Sequence, residues 1–187
     1  MKTLRLFIVL ICISIYLLSC DKEDKKVIVT NDYLPLEIGN YWKLEYTDKT
    51  EVVGIKEIND KSYYALIFRS DTSYYRIESD KIYVIEILDN ESTESVKYDL
   101  TAEVNETWNF HVVTVTLISK TDSITINDTE ITNCYQFYFD IPDMIDEEHS
   151  IWLAPGIGLI QEQCFGECLY LFNKLDKARI GGQDIDF

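Results

Sequence analysis

The sequence predicts an all-β fold, an antiparallel meander that forms either a sandwich or a partly closed barrel and that follows an N-terminal signal peptide. Apolar and polar residues alternate along most of the chain after Cys20, which is the period of a half-buried strand. Asn, Asp and Ser residues, which favour tight turns, interrupt this alternation at even intervals. No stretch after Cys20 keeps a helical period over about ten residues. Because parallel strands need long crossovers, short turns of this kind indicate hairpins.

The first residues predict export. Lys2 and Arg5 precede an uncharged apolar run, Leu6–Leu18, which is shorter than the roughly 20 residues that a membrane-spanning helix needs. A positive region followed by a short apolar run is typical of a signal peptide, here over residues 1–19. The end of the run, Leu17-Leu18-Ser19-Cys20, resembles a bacterial lipobox. The resemblance implies that the signal is cleaved and that Cys20 becomes the lipidation site, with acyl chains such as palmitate as the membrane anchor.

The segment after the acylated cysteine predicts a tether. Residues 20–31 include Asp21-Lys22-Glu23-Asp24-Lys25-Lys26, a charged and unpatterned stretch that favours a solvated spacer. It also resembles the charged segment that directs Bacteroidetes-type lipoproteins to the outer face of the outer membrane. We expect an outer-membrane lipoprotein of the cell envelope, and the sequence leaves open whether it is surface-exposed or on the periplasmic face. No linker or repeat divides residues 32–187, which predict a single β-rich domain.

The strands of that domain follow one another closely. The first predicted strand places Trp42, Leu44 and Tyr46 on its apolar face. The other predicted strands are Glu51–Ile58, Ser62–Arg69, Thr72–Glu78, Lys81–Leu88, Glu94–Leu100, Phe110–Lys120, Ser123–Ile126, Glu130–Asp140, Ser150–Leu153, Leu159–Cys164 and Cys168–Lys174. The predicted turns between them include Asn59-Asp60-Lys61, Ser70-Asp71, Ser79-Asp80, Asp89-Asn90, Thr121-Asp122 and Asn127-Asp128. The longest irregular piece is the acidic segment Ile141–His149.

The composition is that of an acidic globular protein. Hydrophobic residues make up 47% of the chain, and 33 acidic residues outnumber 17 basic residues to give a formal net charge of −16. Nucleic acid is excluded as a partner, because phosphate contacts need clustered Lys and Arg. The same negative charge opposes binding to anionic lipid, so attachment to the membrane depends on the acyl chains.

Two segments stand out from generic strand sequence. Asp32-Tyr33-Leu34-Pro35-Leu36-Glu37-Ile38-Gly39-Asn40-Tyr41-Trp42 follows the tether, and Trp152-Leu153-Ala154-Pro155-Gly156-Ile157-Gly158-Leu159-Ile160 lies near the end. Together they resemble a group of uncharacterised Bacteroidetes-type lipoproteins, which open with a Tyr-x-Pro-Leu-x-x-Gly-Asn-x-Trp segment and close through an Ala-Pro-Gly-x-Gly turn. The resemblance implies an all-β exported module and brings no catalytic residues with it. From the residues themselves, Trp42 is expected to be a large core anchor.

Residues that could carry chemistry are few. His111 is expected on a strand, and His149 is expected to be a solvated loop residue, since neither has a partner at zinc spacing. No Gly-x-Ser-x-Gly or other hydrolase signature occurs, so we expect a protein that is not an enzyme and has no cofactor. In the acidic segment, Asp143, Asp146 and Glu147 could offer oxygens to a hard cation such as calcium, but they lack the spacing of a calcium loop. A solvated acidic loop without metal is the preferred interpretation.

Tyrosines offer another route to function. Many of them fall on strands, and adjacent tyrosines must point to opposite faces of a sheet. Such side chains can bind glycans, peptides or other envelope proteins, although scattered tyrosines usually pack. The tyrosines predicted to face a ligand are Tyr64, Tyr75, Tyr83 and Tyr138.

Three cysteines remain in the mature chain besides Cys20. In an oxidising compartment an odd number allows at most one bridge within the chain. Cys164 and Cys168 flank a short segment with Gly166, which suits a hairpin loop, so a Cys164–Cys168 disulfide is the preferred pairing. Cys134 is then a buried free thiol. Three free thiols, or a metal site, are the alternatives.

Two functions fit these observations, and an unidentified hydrolase is a third. The first is a non-catalytic binding or interaction module tethered to the outer membrane. The second is a carrier of a hydrophobic ligand or of lipoproteins in a half-open barrel. A deep apolar cavity on the concave face of the sheet favours the carrier, whereas a filled core with an exposed tyrosine patch favours the interaction module.

Overall fold

The fold is all-β, as predicted. A computed structural model of the chain describes residues 32–89, 91–145, 147–166 and 171–187. The signal peptide, Cys20 and the tether therefore lie outside the described residues. The strands within that range are β1 (Tyr41–Leu44), β2 (Thr50–Ile58), β3 (Lys61–Phe68), β4 (Asp71–Glu78), β5 (Lys81–Leu88), β6 (Glu91–Asp99), β7 (Thr107–Phe110), β8 (Val113–Ile126), β9 (Thr129–Asp140), β10 (His149–Ala154), β11 (Gly158–Cys164), β12 (Phe172–Ile180) and β13 (Gln183–Asp186). In this part of the chain no helix is long and apolar enough to cross a bilayer.

The strands form one antiparallel sheet that curls into a nearly closed barrel. Its order is β6-β5-β4-β3-β2-β1-β12-β11-β10-β9-β8-β7, and β13 pairs with β12 beside this path. Almost every strand therefore pairs with its neighbour in sequence, and the pairing of β1 with β12 joins the two ends of the chain. Strands β6 and β7 lie side by side without a backbone ladder. Of the two predicted architectures, the partly closed barrel is the one that forms.

Several predicted turns are confirmed, and their conformation explains why polar residues occupy them. Asn59-Asp60, Ser79-Asp80 and Asn127-Asp128 each have two consecutive residues with positive φ. Two-residue hairpins need this conformation because it matches the twist of the flanking strands. Asn and Asp tolerate it better than other residues with a Cβ atom.

Other predicted boundaries are wrong. Thr121-Asp122 is not a turn: β8 continues through it, and the ladder to β9 absorbs the polar residues at three register shifts. The predicted strand from Phe110 instead breaks at His111, which has φ 53 in the turn between β7 and β8. Strand β12 begins at Phe172 rather than at the predicted Cys168, which lies outside the described residues.

Tyr46 does not share the buried face of the first strand. β1 ends at Leu44, where the register to β12 shifts, and Tyr46 is 66% exposed in the following turn. Its backbone N–H donates to the side-chain oxygen of Asn173 on β12 at 3.0 Å. The alternation therefore predicts the buried face of Trp42 and Leu44 correctly. It places the end of the strand two residues too late.

Trp42 is buried as predicted, with 2% of its surface exposed. Its indole N–H donates to the carbonyl oxygen of Ile157, in the turn between β10 and β11. Gly158 follows in that turn with φ +96, and a Cβ atom there would lie 2.7 Å from the indole nitrogen. The Pro-Gly-x-Gly turn thus lets its backbone approach the indole closely, because glycine has no side chain and accepts this φ.

The gap between β6 and β7 is closed by side chains. The indole N–H of Trp108 on β7 donates to the carbonyl oxygen of Val96 on β6 at 3.0 Å. At the next turn, Nδ1 of His111 lies 3.4 Å from the hydroxyl of Ser95 and 3.3 Å from a carboxylate oxygen of Glu86. The barrel is therefore completed here without main-chain pairing.

Candidate functional site

A cavity of about 360 Å³ lies on the concave face of the sheet. Its walls are mostly apolar, because the inward-facing positions of β1, β3, β10 and β11 carry large aliphatic and aromatic side chains. These wall residues include Trp42, Leu44, Leu66, Ile151, Leu153 and Leu159. The alternation that predicted the strands thus also explains why the interior is apolar.

Four polar side chains interrupt this wall inside the barrel, Tyr75 on β4, Lys97 and Tyr98 on β6 and Glu162 on β11. Lys97 reaches the interior because the ladder between β5 and β6 shifts register and leaves it as an extra residue between Val96 and Tyr98. A regular strand would place neighbours such as Lys97 and Tyr98 on opposite faces. The bulge therefore brings the ammonium group to the concave side.

The ammonium of Lys97 is held by aromatic neighbours. Its Nζ donates to the hydroxyl of Tyr75 at 3.0 Å. It also lies 5.5 Å from the ring centroids of Tyr75 and Tyr98 and 5.8 Å from that of Phe110. Contacts of a cation with ring faces are favourable and strengthen when water is excluded. Burial opposes the charged form, but Tyr75, Tyr98 and Glu162 raise the pKa of Lys97 above its usual value, so the group is an ammonium at neutral pH.

The carboxyl of Glu162 behaves in the opposite way. Burial raises its pKa, although Lys97 and the amide of Asn173 act to lower it. Glu162 and Asn173 are cross-strand partners and so share the concave face. Asn173 is completely buried, and its Nδ2 lies near Glu162 but makes no hydrogen bond of normal geometry among the described residues. A buried amide donor without an acceptor is costly, which makes this corner of the interior unsatisfied.

The cavity opens beside the connection between β1 and β2. Asp48 in this connection is the one exposed residue of the lining that the structure describes, and Thr47 and Thr50 flank it. The carboxylate of Asp48 accepts a hydrogen bond from Arg69 at 2.9 Å, so its charge is compensated at the surface. The wall is thus apolar within and polar at the opening, which is the usual make-up of a ligand pocket.

The tyrosines predicted to face a ligand divide between the two faces of the sheet. Tyr75 lines the cavity, and Tyr64 lies opposite it on β3, packed against the core. Tyr83 is on the convex face, where its ring lies 4.4 Å from the guanidinium of Arg76. Tyr138 is also on that face, 6.0 Å from the ring of Phe165. Two of the four predicted tyrosines, Tyr64 and Tyr75, therefore lie on the concave face, and the other two lie on the convex face.

The acidic segment forms no metal centre in the described part of the chain. Asp143 and Glu147 are exposed, and Asp146 lies outside the described residues. No group of three or more His, Cys, Asp or Glu side chains among the described residues could hold a metal ion. His149 is not a solvated loop residue: it begins β10 and stacks on Phe139 with ring centroids 4.8 Å apart, and burial lowers its pKa.

The cysteines follow the prediction in part. Cys134 is a buried free thiol, and burial raises its pKa to about 12. Cys164 is disulfide-bonded, whereas Cys168 lies outside the described residues. The ladder places Leu171 opposite Cys164, with the N–H of Cys164 donating to its carbonyl oxygen at 3.2 Å. The hairpin loop is therefore longer than predicted, and the Cys164–Cys168 pairing stays a prediction.

Sequence reasoning did not find Lys97, Glu162 or Asn173. Lys97 reads as a solvent-facing residue in the alternation, because its burial depends on a bulge that no local pattern indicates. Glu162 and Asn173 lie in strands with mixed composition, where an inward polar residue resembles an outward one. What places all three side chains inside the barrel is the register between neighbouring strands, which the sequence does not show.

Comparisons with known proteins identify no family. No protein-family model matches the chain, and no curated protein matches it in sequence. Among solved structures, the chain is similar to one described as that of a "putative lipoprotein" from Parabacteroides distasonis ATCC 8503. The match has a TM-score of 0.42 and 12% sequence identity, and it covers 80% of this chain and 99% of the other. This distant likeness assigns no ligand to the cavity.

Proposed function

We propose that this protein is a lipoprotein of the cell envelope that binds a small, largely apolar ligand inside its barrel. The cavity on the concave face carries this proposal. Its volume of about 360 Å³ falls within the range of about 300–1,000 Å³ that is typical of small-molecule pockets. The ligand-carrier function fits this interior better than the alternative of a filled module with a binding surface of tyrosines.

The apolar wall supports a ligand rather than a void. Protein interiors are normally packed as densely as organic crystals, and an empty apolar cavity lowers stability. Trp42, Leu66 and Leu153 are nevertheless placed around open space. A ligand that fills this space would recover the lost contacts.

The convex face offers less to a partner. The hydroxyl of Tyr63 donates to Glu94, the ring of Tyr74 lies 4.7 Å from Nζ of Lys56, and Tyr83 packs against Arg76. These tyrosines are occupied by side chains of the same sheet. A glycan or protein would have to displace those contacts before it could stack on the rings.

The expected result for the cavity is binding of a neutral apolar probe. All the described strands and the whole described core lie after residue 31, so the test uses the chain from Asp21 to Phe187. We expect this protein to bind N-phenyl-1-naphthylamine with a rise in probe fluorescence. Leu66→Trp, which fills the cavity, is expected to weaken binding at least about tenfold.

Leu88→Trp is the matched control, because Leu88 is 69% exposed at the end of β5 and outside the lining. It should bind the probe as the unchanged protein does. Equal binding by Leu66→Trp and Leu88→Trp, with both variants folded by thermal melting, would contradict the proposal. The same conclusion would follow if the unchanged protein did not bind the probe.

The anchor is tested separately at Cys20. Cys20→Ala in the full-length chain removes the thiol that the acyl chains need, so we expect the protein to leave the membrane fraction or to remain as uncleaved precursor. Fractionation of cells followed by mass measurement checks this outcome. Cys134→Ala serves as the control, since Cys134 is buried in the barrel, and it should stay membrane-bound. Normal cleavage and membrane retention of Cys20→Ala would contradict the anchor.

A further inference from the structure

We infer that the ligand of the interior cavity is a single-chain amphiphile with a terminal carboxylate, and that Lys97 binds this carboxylate. The inference rests on the proposed function and adds the chemical class of the ligand. It follows from four properties of the cavity: the unpaired charge of Lys97, the neighbouring donors, the number of positive charges and the apolar volume.

Lys97 has no counterion in the described structure. No carboxylate of the described residues forms an ion pair with its Nζ within 4.0 Å, and its hydrogen-bond partners there are the hydroxyls of Tyr75 and Tyr98. A buried ammonium with a neutral partner keeps much of its desolvation cost, and an anion beside it would offset that cost. Nζ has three N–H donors, so one is left for a ligand after the hydroxyls of Tyr75 and Tyr98.

The groups around Lys97 can also donate to an anion. Glu162 lines the same cavity; burial raises the pKa of its carboxyl, and a protonated carboxyl is a donor. The Nδ2 of Asn173, beside Glu162, is completely buried and makes no hydrogen bond of normal geometry among the described residues. A ligand carboxylate has about four lone-pair sites, which suits several donors of this kind.

The charge of the lining favours a monoanion over a phosphate. Lys97 is the one cationic side chain among the described residues of the lining. Arg69, near the opening, is already paired with Asp48. The two charges of a phosphate are best compensated by several cations, such as arginine forks, or by a helix N-terminus, and the described wall of this cavity provides one lysine and neither of these. A carboxylate needs only the single positive charge that Lys97 supplies.

The size and wall of the cavity favour one apolar chain. A volume of about 360 Å³ is near the lower end of the range for small-molecule pockets, which leaves little room for a lipid with several acyl chains. Leu44, Leu66 and Leu153 provide aliphatic contact on different sides. A chain that runs from the opening at Thr47 toward Lys97 would bury its methylenes against this wall, at roughly 0.8 kcal/mol for each group.

The test compares two probes that differ only in the head group, dodecanoate and dodecanol, by competition with N-phenyl-1-naphthylamine at neutral pH. The chain from Asp21 to Phe187 is expected to bind dodecanoate at least about tenfold more tightly than dodecanol, the difference that a charge-assisted hydrogen bond supplies. In Lys97→Met, which keeps the length of the side chain, we expect this preference to disappear while dodecanol binding stays within about threefold.

Lys56→Met is the matched control. Lys56 also approaches a tyrosine, with Nζ 3.4 Å from the hydroxyl of Tyr74, but it lies on the convex face. This variant should keep the full preference for dodecanoate. If Lys97→Met does not fold, Lys97→Gln, which removes the charge but keeps a polar side chain for Tyr75, takes its place and should lose the preference in the same way.

The outcomes separate this inference from the proposed function. Absence of naphthylamine binding by the unchanged protein would overturn both. Binding of the naphthylamine and of dodecanol, with no preference for dodecanoate, would overturn the carboxylate alone. An unchanged preference in Lys97→Met would overturn the role of Lys97.

Discussion

Trp42→Ala is expected to lower the free energy of unfolding by about 3–5 kcal/mol, the usual cost of removing a buried aromatic side chain. The indole is 2% exposed and joins β1 to the turn between β10 and β11 through its hydrogen bond to Ile157. Alanine would leave that carbonyl without its indole donor and would extend a cavity that is already open. The turn at Gly158, which approaches the ring, would lose its packing partner.

Denaturant unfolding followed by circular dichroism measures this effect. Leu88→Ala is the control, because a 69% exposed side chain should change stability by no more than about 0.5 kcal/mol. A loss below about 1.5 kcal/mol for Trp42→Ala would contradict the packing described for β1. Free quenching of Trp42 fluorescence by a polar quencher, in a variant with Trp108 and Trp152 replaced by Phe, would do the same.

The second expected result is a loss of about 3 kcal/mol of stability in acid that depends on Glu94. Its carboxylate accepts hydrogen bonds from Arg76 at 2.9 Å, from Lys61 at 2.8 Å and from the buried hydroxyl of Tyr63. Burial acts to raise the pKa of Glu94, but these three donors outweigh it and hold the pKa at about 2, against an ordinary 4.5. Each pKa unit corresponds to about 1.36 kcal/mol.

The direction follows from the lowered pKa. A carboxyl that is more acidic in the folded state than in the unfolded state contributes stability above pH 4.5, and this contribution is lost as the pH falls toward 2. Unfolding free energies measured from pH 7 to pH 2 should therefore converge for the unchanged protein and Glu94→Gln. Glu91→Gln, an exposed neighbour on β6, should follow the unchanged protein throughout. Parallel curves for Glu94→Gln and the unchanged protein would contradict this network.

The features that the sequence predicts well are local. Asn59-Asp60 and Asn127-Asp128 form turns because their own side chains accept positive φ, whatever the rest of the chain does. The face of Trp42 and Leu44 is predicted because alternation requires only that one side of a strand be buried. The continuation of β8 through Thr121-Asp122 is not predicted, because a register shift and a turn look alike in polar residues.

The cavity is harder to predict because it depends on several registers at once. Tyr74 and Tyr75 are adjacent, and alternation says that they face opposite sides without saying which side is concave. The side of Tyr75 is settled by its pairing with Tyr64 on β3 and with Val84 on β5. Lys97 needs a further step, the bulge between β5 and β6, before its side chain can turn inward.

The side-by-side position of β6 and β7, the two end strands of the sheet, has a consequence for solubility. An open sheet edge displays unpaired N–H and C=O groups that can template the addition of another chain and so seed aggregation. In this protein both ends of the main sheet path meet each other, so each edge is shielded by the opposite one. The remaining free strand, β13, is only four residues long and carries Asp184 and Asp186. Its short length and charged side chains make it a poor template for a further strand.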